Sequence, residues 1–520
     1  MSPARAPGEA EPGAHLHLVT LVCFVALPWL NPLAPGPEPG VVPWLVTLGS
    51  LALVLLWVLQ ADLAELVPIG WLVAALISAL LGLLQYFGVS AAFEPWVNAT
   101  AAGEAFANLR QRNQFATLTN IGLASLLWWV GQARALPALA TDALQPLRQR
   151  LLRVGFCAAA VLLTLGNLAS SSRTGLAQLV LLVGLTLMWG GWRQIERRRV
   201  LLAVLLAYGL AALFLSKLAG LDPHATGILA RLHEGDSVCS SRLTLWSNVL
   251  HLIAQKPWAG WGWGELDYAH FITLYPGARF CDILDNAHNL PLHLAVELGL
   301  PFAVLVCGAA AWVVWRAKPW REQDANRQLA WSVLAVILLH SMLEYPLWYG
   351  PFQMAFGLSL WLLWRSGRKA MPQAGAGVFP VAAMRALLAM ALFACAAYAA
   401  WDYHRISQIY LSPGQRSAAY RDDTLAKISG SWLFKDQVRF AQLITITLTL
   451  ENARFVHDQA AALLHFSPEP RVIEMLIDSA KLLGLDAEAT FYLLRYQAAF
   501  PQYVKQWAGR HAASASNAAD

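Results

Sequence analysis

Apolar runs of about 20 residues, broken by short polar or basic stretches, recur along the chain, and each is long enough to cross a bilayer as a helix. They fall at 16–33, 41–60, 67–89, 114–130, 151–171, 174–192, 201–218, 289–315, 329–345, 352–364 and 381–401. The pattern predicts an all-α polytopic membrane protein with about 11 transmembrane helices. The breaks also differ in charge. Arg134, Arg148, Arg150 and Arg153 fall in or beside one break, and Arg193, Arg197, Arg198 and Arg199 in another. Arg316, Lys318, Arg321 and Arg327 form a third cluster, and Arg365, Arg368 and Lys369 a fourth. With the N-terminus inside, all four clusters land in the cytoplasm, as basic loops do. The turn at Asp62–Glu65 is the exception, cytoplasmic without basic residues.

The same alternation divides the chain. Residues 1–15 read as a cytoplasmic tail and 16–218 as a first transmembrane bundle. Residues 219–288 read as a large outer, periplasmic loop, 289–401 as a second bundle, and 402–520 as a small helical periplasmic domain. In that last part Val472, Met475, Leu476 and Leu483 recur at helical spacing after the start signal Ser467-Pro468-Glu469-Pro470. It reads as a helical cap or, alternatively, as a docking surface for a protein partner. Both of the longest loops lie outside, so the working surface is expected there.

Composition agrees. The chain is 57% hydrophobic and 13% charged, about half the charge of a soluble domain. Its 23 tryptophans suit membrane–water interfaces. A net charge of +5, spread in clusters between spans, speaks for orientation and against nucleic acid. The first apolar run lacks an A-x-A-like end, so no cleavable leader is expected. The six cysteines show no zinc-finger spacing. Cys239 and Cys281 both lie in the outer loop, where a disulfide is permitted, and the other four are expected as packed thiols.

The chemistry concentrates between Ser240 and Glu297. Arg242 precedes a run in which Leu245, Val249, Leu252 and Ile253 share a helical face, expected to lie along the membrane interface. A Gly/Trp-rich turn follows from Lys256 to Gly264, and then Asp285-Asn286-Ala287-His288-Asn289. His288 has the imidazole whose ordinary pKa suits proton abstraction near neutral pH. Asp282, Asp285, His293 and Glu297 stand near it in sequence; a metal site from Asp282, Asp285 and His288 is conceivable, but the spacing matches no metal motif and no metal is expected. Elsewhere on the outer side, Arg173 follows three serines at a tight turn, and Arg110 and Arg112 flank Gln111 ahead of Asn113. Arginine offers fixed donors that suit phosphate. Glu344-Tyr345-Pro346 ends a span on the same side.

Arg242, Trp246, Pro257, Gly260-x-Gly262-x-Gly264, Ala287-His288-Asn289 and Glu297-x-Gly299 together resemble the O-antigen ligase/polymerase superfamily. Asn108–Asn113 followed by Phe115-Ala116, and Glu344 through Tyr349, resemble its PglL-like branch, the bacterial protein O-oligosaccharyltransferases that glycosylate pilins. Arg112 stands where that pattern expects a smaller or apolar residue. The resemblance implies a C-type glycosyltransferase architecture without metal or cofactor. It implies en bloc glycan transfer from undecaprenyl pyrophosphate, in the bacterial inner membrane, to a pilin or other periplasmic protein. It implies His288, Arg242 and Arg173 as catalytic residues, the arginines holding the pyrophosphate. Arg110, Gln111, Arg112, Asn113, Asn289, Glu344, Tyr345 and Tyr349 are the expected substrate positions. These groups are expected to converge in one cavity at the outer leaflet. Pyrophosphate leaves readily, so the protein mainly has to hold and neutralise it. His288 either takes the acceptor's proton, which predicts inversion, or only orients the acceptor.

Two other readings remain at this point. Within the superfamily, the glycan is ligated to lipid A core or polymerised. In another class, the chain transports a polyisoprenoid-linked glycan, although transporters place polar groups near mid-membrane and these candidates lie at the edge.

Overall fold

The computed structural model describes residues 12–57, 63–132, 145–233, 238–366 and 381–519. Most of the N-terminal tail, Asp62, Arg134 and the Arg368–Lys369 pair lie outside the described residues. Among those described, every regular element is a helix. First come α1 (Pro12–Leu30), α2 (Val41–Trp57), α3 (Leu63–Tyr86), α4 (Arg112–Gln132), α5 (Gln145–Ala169), α6 (Arg173–Met188), α7 (Ile195–Leu218) and α8 (Gly227–His233). Next are α9 (Arg242–Gln255), α10 (Leu266–Ile272), α11 (Leu290–Leu298), α12 (Leu300–Ala317), α13 (Ala325–Ser341), α14 (Gly350–Ser366) and α15 (Val381–Ser407). The tail holds α16 (Thr424–Ile428), α17 (Lys435–Thr445), α18 (Ala453–Leu463), α19 (Pro470–Leu482), α20 (Asp486–Ala499) and α21 (Pro501–Ala519).

Five helical stretches are long and apolar enough to cross a membrane: Leu63–Tyr86, Leu147–Ala169, Ile195–Leu218, Leu300–Arg321 and Ala382–Tyr410. The fourth leaves Val304, Leu305, Trp312 and Trp315 exposed. A helix with that surface is at ease in hydrocarbon and not in water. The chain is a multi-pass helical membrane protein.

Each predicted span overlaps a helix, with one correction. The segment 289–315 is two helices, because Gly299 takes φ of 87° and breaks it between α11 and α12. A further correction concerns side chains. Cys23 and Cys395 are exposed rather than packed. Arg197, one of the second basic cluster, is buried and its Nε donates to the Leu127 carbonyl at 3.2 Å.

The chain divides into two compact units. The first comprises residues 1–235, 315–341 and 346–398. Its core joins Trp29, Trp71, Leu118, Ile121, Ile337 and Phe352. Small residues let these helices touch closely: a Cβ on Gly122 of α4 would lie 2.2 Å from the Ala75 Cβ of α3. That is the packing expected where dispersion must replace the hydrophobic effect between helices.

The second unit comprises residues 236–314, 342–345 and 399–520. It has two cores. In one, Leu245, Val249, Leu252 and Ile253 of α9 meet Leu266, Leu284, Ala287, Ala295 and Val296. The amphipathic face after Arg242 is therefore protein core, which corrects its expected place on the membrane interface. In the other, Val456, Leu463, Val472, Leu476 and Tyr496 of the tail enclose Phe271 of α10. The tail grips the loop at its surface as well. The His465 ring stacks on Tyr268 with centroids 3.8 Å apart, and its Nδ1 lies 2.6 Å from Glu265 Oε2. Arg495 Nε donates to the Ile272 carbonyl at 2.7 Å. The tail is thus part of the body that carries the loop.

Candidate functional site

In the second unit, sequence signals for helix starts place the functional groups. Ser241 caps α9, its Oγ accepting the Thr244 N–H at 3.2 Å, so Arg242 is the first helical residue. Asn289 caps α11 in the same way, accepting the Leu292 N–H at 3.1 Å, with Pro291 in the first turn. His288 stands immediately before that cap. Asn286 Oδ1 accepts the His288 N–H at 2.8 Å and closes a turn that holds His288 at φ of 49°. A left-handed conformation at a non-glycine residue is strained and needs such support.

Further bonds fix the loop. Trp246 Nε1 donates to the Ala287 carbonyl at 3.2 Å, and the Asn248 side chain bonds both Ala278 O and Phe280 N. Cys239 and Cys281 are joined by a disulfide, with Cα atoms 5.2 Å apart.

Glu344 joins the arginine to the histidine. One carboxylate oxygen accepts from Arg242 Nη2 at 2.7 Å, and the other lies 3.2 Å from His288 Nδ1. The Tyr345 ring meets the His288 ring edge-on at 5.2 Å. Glu344 is 10% exposed, against 34% for Arg242 and 26% for His288, so the anion is sheltered while its partners reach solvent. A carboxylate at Nδ1 leaves Nε2 with its lone pair, which is the arrangement of an oriented general base. Asn289 also ties this segment down, donating to the Met342 carbonyl at 3.2 Å.

The Gly/Trp-rich turn is a clamp on the α11–α12 break. Trp261 N donates to Val296 O at 2.8 Å, Gly262 N to Glu297 O at 3.0 Å and Leu300 N to Pro257 O at 2.8 Å. The glycines allow this contact, since a Cβ on Gly299 would sit 2.2 Å from the Trp258 oxygen. Beneath the clamp, His293 and Glu297 are buried with Nε2 and Oε2 3.5 Å apart. Asp282 and Asp285 remain exposed, and among the described residues no group of three or more His, Cys, Asp or Glu is arranged to hold a metal.

In the first unit, Arg173 is the exposed first residue of α6, after the buried Ser170, Ser171 and Ser172. Ser172 caps that helix, accepting the Gly175 N–H at 2.8 Å, and itself donates to Asn113 Oδ1 at 2.6 Å. Asn113 thus supports the Arg173 turn. Its neighbours also have internal partners. Arg110 donates to the Pro32 carbonyl at 2.5 Å, and burial pulls its pKa down. Gln111 Oε1 accepts the Gln114 N–H at 3.1 Å at the start of α4, and Arg112 pairs with Glu104 at 3.5 Å. Tyr349 packs against the core of this unit. Of the candidate residues, then, Arg242, His288, Asn289, Glu344 and Tyr345 come together in the second unit, and Asn113 and Arg173 in the first. The sequence reading missed the roles of Asn286 and Ser172. It also missed Thr117, Asn120 and Gln178 below Ser172; polar side chains inside otherwise apolar spans were the available signal.

Three family models match the chain in separate stretches. "Protein glycosylation ligase" matches residues 105–130, "O-Antigen ligase" 158–307, and "Virulence factor membrane-bound polymerase, C-terminal" 328–515. The chain is 24% identical over 330 residues to the "General O-oligosaccharyltransferase" of Acinetobacter baylyi, covering 60% of this chain and 52% of that protein. It is 26% identical over 259 residues to the "ComP-specific O-oligosaccharyltransferase" of the same organism, covering 49% and 43%. The matches span about half the length of each relative. The chain is thus similar in separate stretches to the O-antigen ligase and protein glycosylation ligase families, and over about half their length to two O-oligosaccharyltransferases.

Proposed function

We propose that the chain is a protein O-oligosaccharyltransferase that moves a glycan en bloc from undecaprenyl pyrophosphate to a Ser or Thr hydroxyl of a pilin or other periplasmic protein. The observation that carries this is the Arg242–Glu344–His288 cluster: a cation for the leaving group and an oriented imidazole share one carboxylate. His288 Nε2 takes the proton from the acceptor hydroxyl as its oxygen bonds to the anomeric carbon. The bond from that carbon to the pyrophosphate oxygen breaks, with inversion. Arg242 and, by motif, Arg173 neutralise the departing pyrophosphate, the task that divalent ions perform elsewhere. The similarity to two O-oligosaccharyltransferases supports a lipid-linked donor and a protein acceptor.

The reading includes a topology. About 11 helices cross the bacterial inner membrane, with the four basic clusters in the cytoplasm, and the loop at 219–288 and the tail at 402–520 in the periplasm. A lipid acceptor is the second reading, favoured by the O-antigen ligase match over 158–307.

Reconstitution in vesicles tests both. Lipid-linked oligosaccharide is supplied with either a periplasmic acceptor protein or lipid A core. Wild type is expected to glycosylate the protein, and His288→Ala to lose about 10²–10⁴-fold of that rate. Arg242→Ala and Arg173→Ala are expected to lose transfer while still inserting in the membrane. Undiminished turnover by the histidine variant removes the base assignment, and glycan found only on lipid A core moves the chain to the second reading.

A further inference from the structure

We propose that Thr117, Asn120, Gln178 and His340 are positioning residues that hold the turn bearing Arg173, and so set the affinity for the lipid-linked donor. The inference rests on Arg173 being a donor-binding group.

The four side chains are buried within the first unit, on α4, α6 and α13. Gln178 lies at their centre. Its Nε2 donates to Thr117 Oγ1 at 2.9 Å and to the Val336 carbonyl at 3.0 Å, and its Oε1 accepts from Asn120 Nδ2 at 3.3 Å. Thr117 Oγ1 is 2.9 Å from His340 Nδ1 and 2.8 Å from the Asn113 carbonyl. These bonds reach the Arg173 turn at two places. Asn120 Nδ2 donates to the Gly175 carbonyl at 3.0 Å, and Asn113 accepts from Ser172, the cap of α6.

The turn is also pressed against α4. A Cβ on Gly175 would lie 2.5 Å from the Ala116 Cβ and 3.3 Å from Asn167 Nδ2. The backbone of α6 therefore runs at contact distance from α4, with no side chain between them to take up slack. Ser171, next in the turn, is held at φ of 51°. In a helix bundle surrounded by hydrocarbon, no water is at hand to replace a lost partner, so removing one hydroxyl disturbs every group bonded to it. A close-packed bundle needs none of these bonds to be polar. Four linked side chains converging on one arginine-bearing turn fit a device that fixes a direction.

The decisive variants are Thr117→Val, which keeps the shape and removes the hydroxyl, and Thr117→Ser, which keeps the hydroxyl. Hydrogen–deuterium exchange is read on the intact protein at the Gly175 and Leu176 amides, both bonded to Ser172. Kinetics are read with the lipid-linked donor and the acceptor varied in turn. The valine variant is expected to exchange about tenfold faster there, the loosening that one lost hydrogen bond gives. Its KM for donor is expected to rise about tenfold, with KM for acceptor unchanged, and serine is expected to restore both. Unchanged exchange, an unchanged donor KM, equal shifts in both KM values, or a serine variant that behaves like valine each overturn the inference. Wild type without transfer removes the transferase reading, and exchange in the two variants still decides whether Thr117 holds the turn.

Discussion

Gly260 and Gly264 offer a controlled test of the clamp. They lie in one turn, both at positive φ, 70° and 77°. Alanine at either site bears the left-handed penalty of about 1–2 kcal/mol. Their surroundings differ. A Cβ on Gly260 would be 2.3 Å from both the carbon and the oxygen of the Glu297 carbonyl, which are backbone and have nowhere to rotate. A Cβ on Gly264 meets nothing within 4 Å. Gly260→Ala therefore adds overpacking of about 1–3 kcal/mol. Separating the strands of the clamp also weakens the 2.8 Å and 3.0 Å bonds from Trp261 and Gly262, at about 1 kcal/mol each. The expected losses are about 1–2 kcal/mol for Gly264→Ala and about 4–7 kcal/mol for Gly260→Ala. Thermal unfolding in detergent and in lipid nanodiscs reads the difference. Chymotrypsin cleavage at the exposed Trp258 and Trp263 reads the local opening. Equal effects of the two substitutions on melting and on cleavage refute the clamp.

Two further outcomes follow from the same unit. The disulfide closes a loop with a sequence separation of 42, so Cys239→Ser is expected to remove about 4 kcal/mol from the folded loop; a dithiothreitol titration with the same cleavage assay checks it, and a loop indifferent to reductant counts against it. Stability is also expected to fall on both sides of a mildly acidic range. Burial pushes Asp267 up to about 7, so its share, at most about 4 kcal/mol, is present below 3.8 and lost as pH rises through about 7. Burial pulls His270 down to about 3, so the neutral ring's share is present above 6.5 and lost as pH falls toward 3. Melting between pH 4 and pH 8 is expected to lose its alkaline slope in Asp267→Asn, and an unchanged slope in that variant removes Asp267 as the source.

The apolar helices were legible because an apolar run of bilayer length has few other uses; the caps Ser241, Asn289 and Ser172 show only in the folded chain. What an apolar face packs against is not written in its period. The face of α9 reads equally well as lying on lipid or on α11, and only tertiary structure decides for α11. Glu344 was visible as a charged group at a span end. Its bond to Arg242 crosses 102 positions of sequence, a distance no local pattern encodes. The Gly/Trp motif was visible as a turn, but its glycines answer to the backbone of Glu297, again a long-range contact. Phe271 carries no signal of its own in the sequence, because the helices that bury it are spelled out far downstream.

That last contact has a bearing on biogenesis. The ribosome delivers Phe271 well before Val456, Val472 and Leu476, the side chains that enclose it. A nascent chain cut short ahead of α18 would therefore leave Phe271 of α10 without the side chains that enclose it.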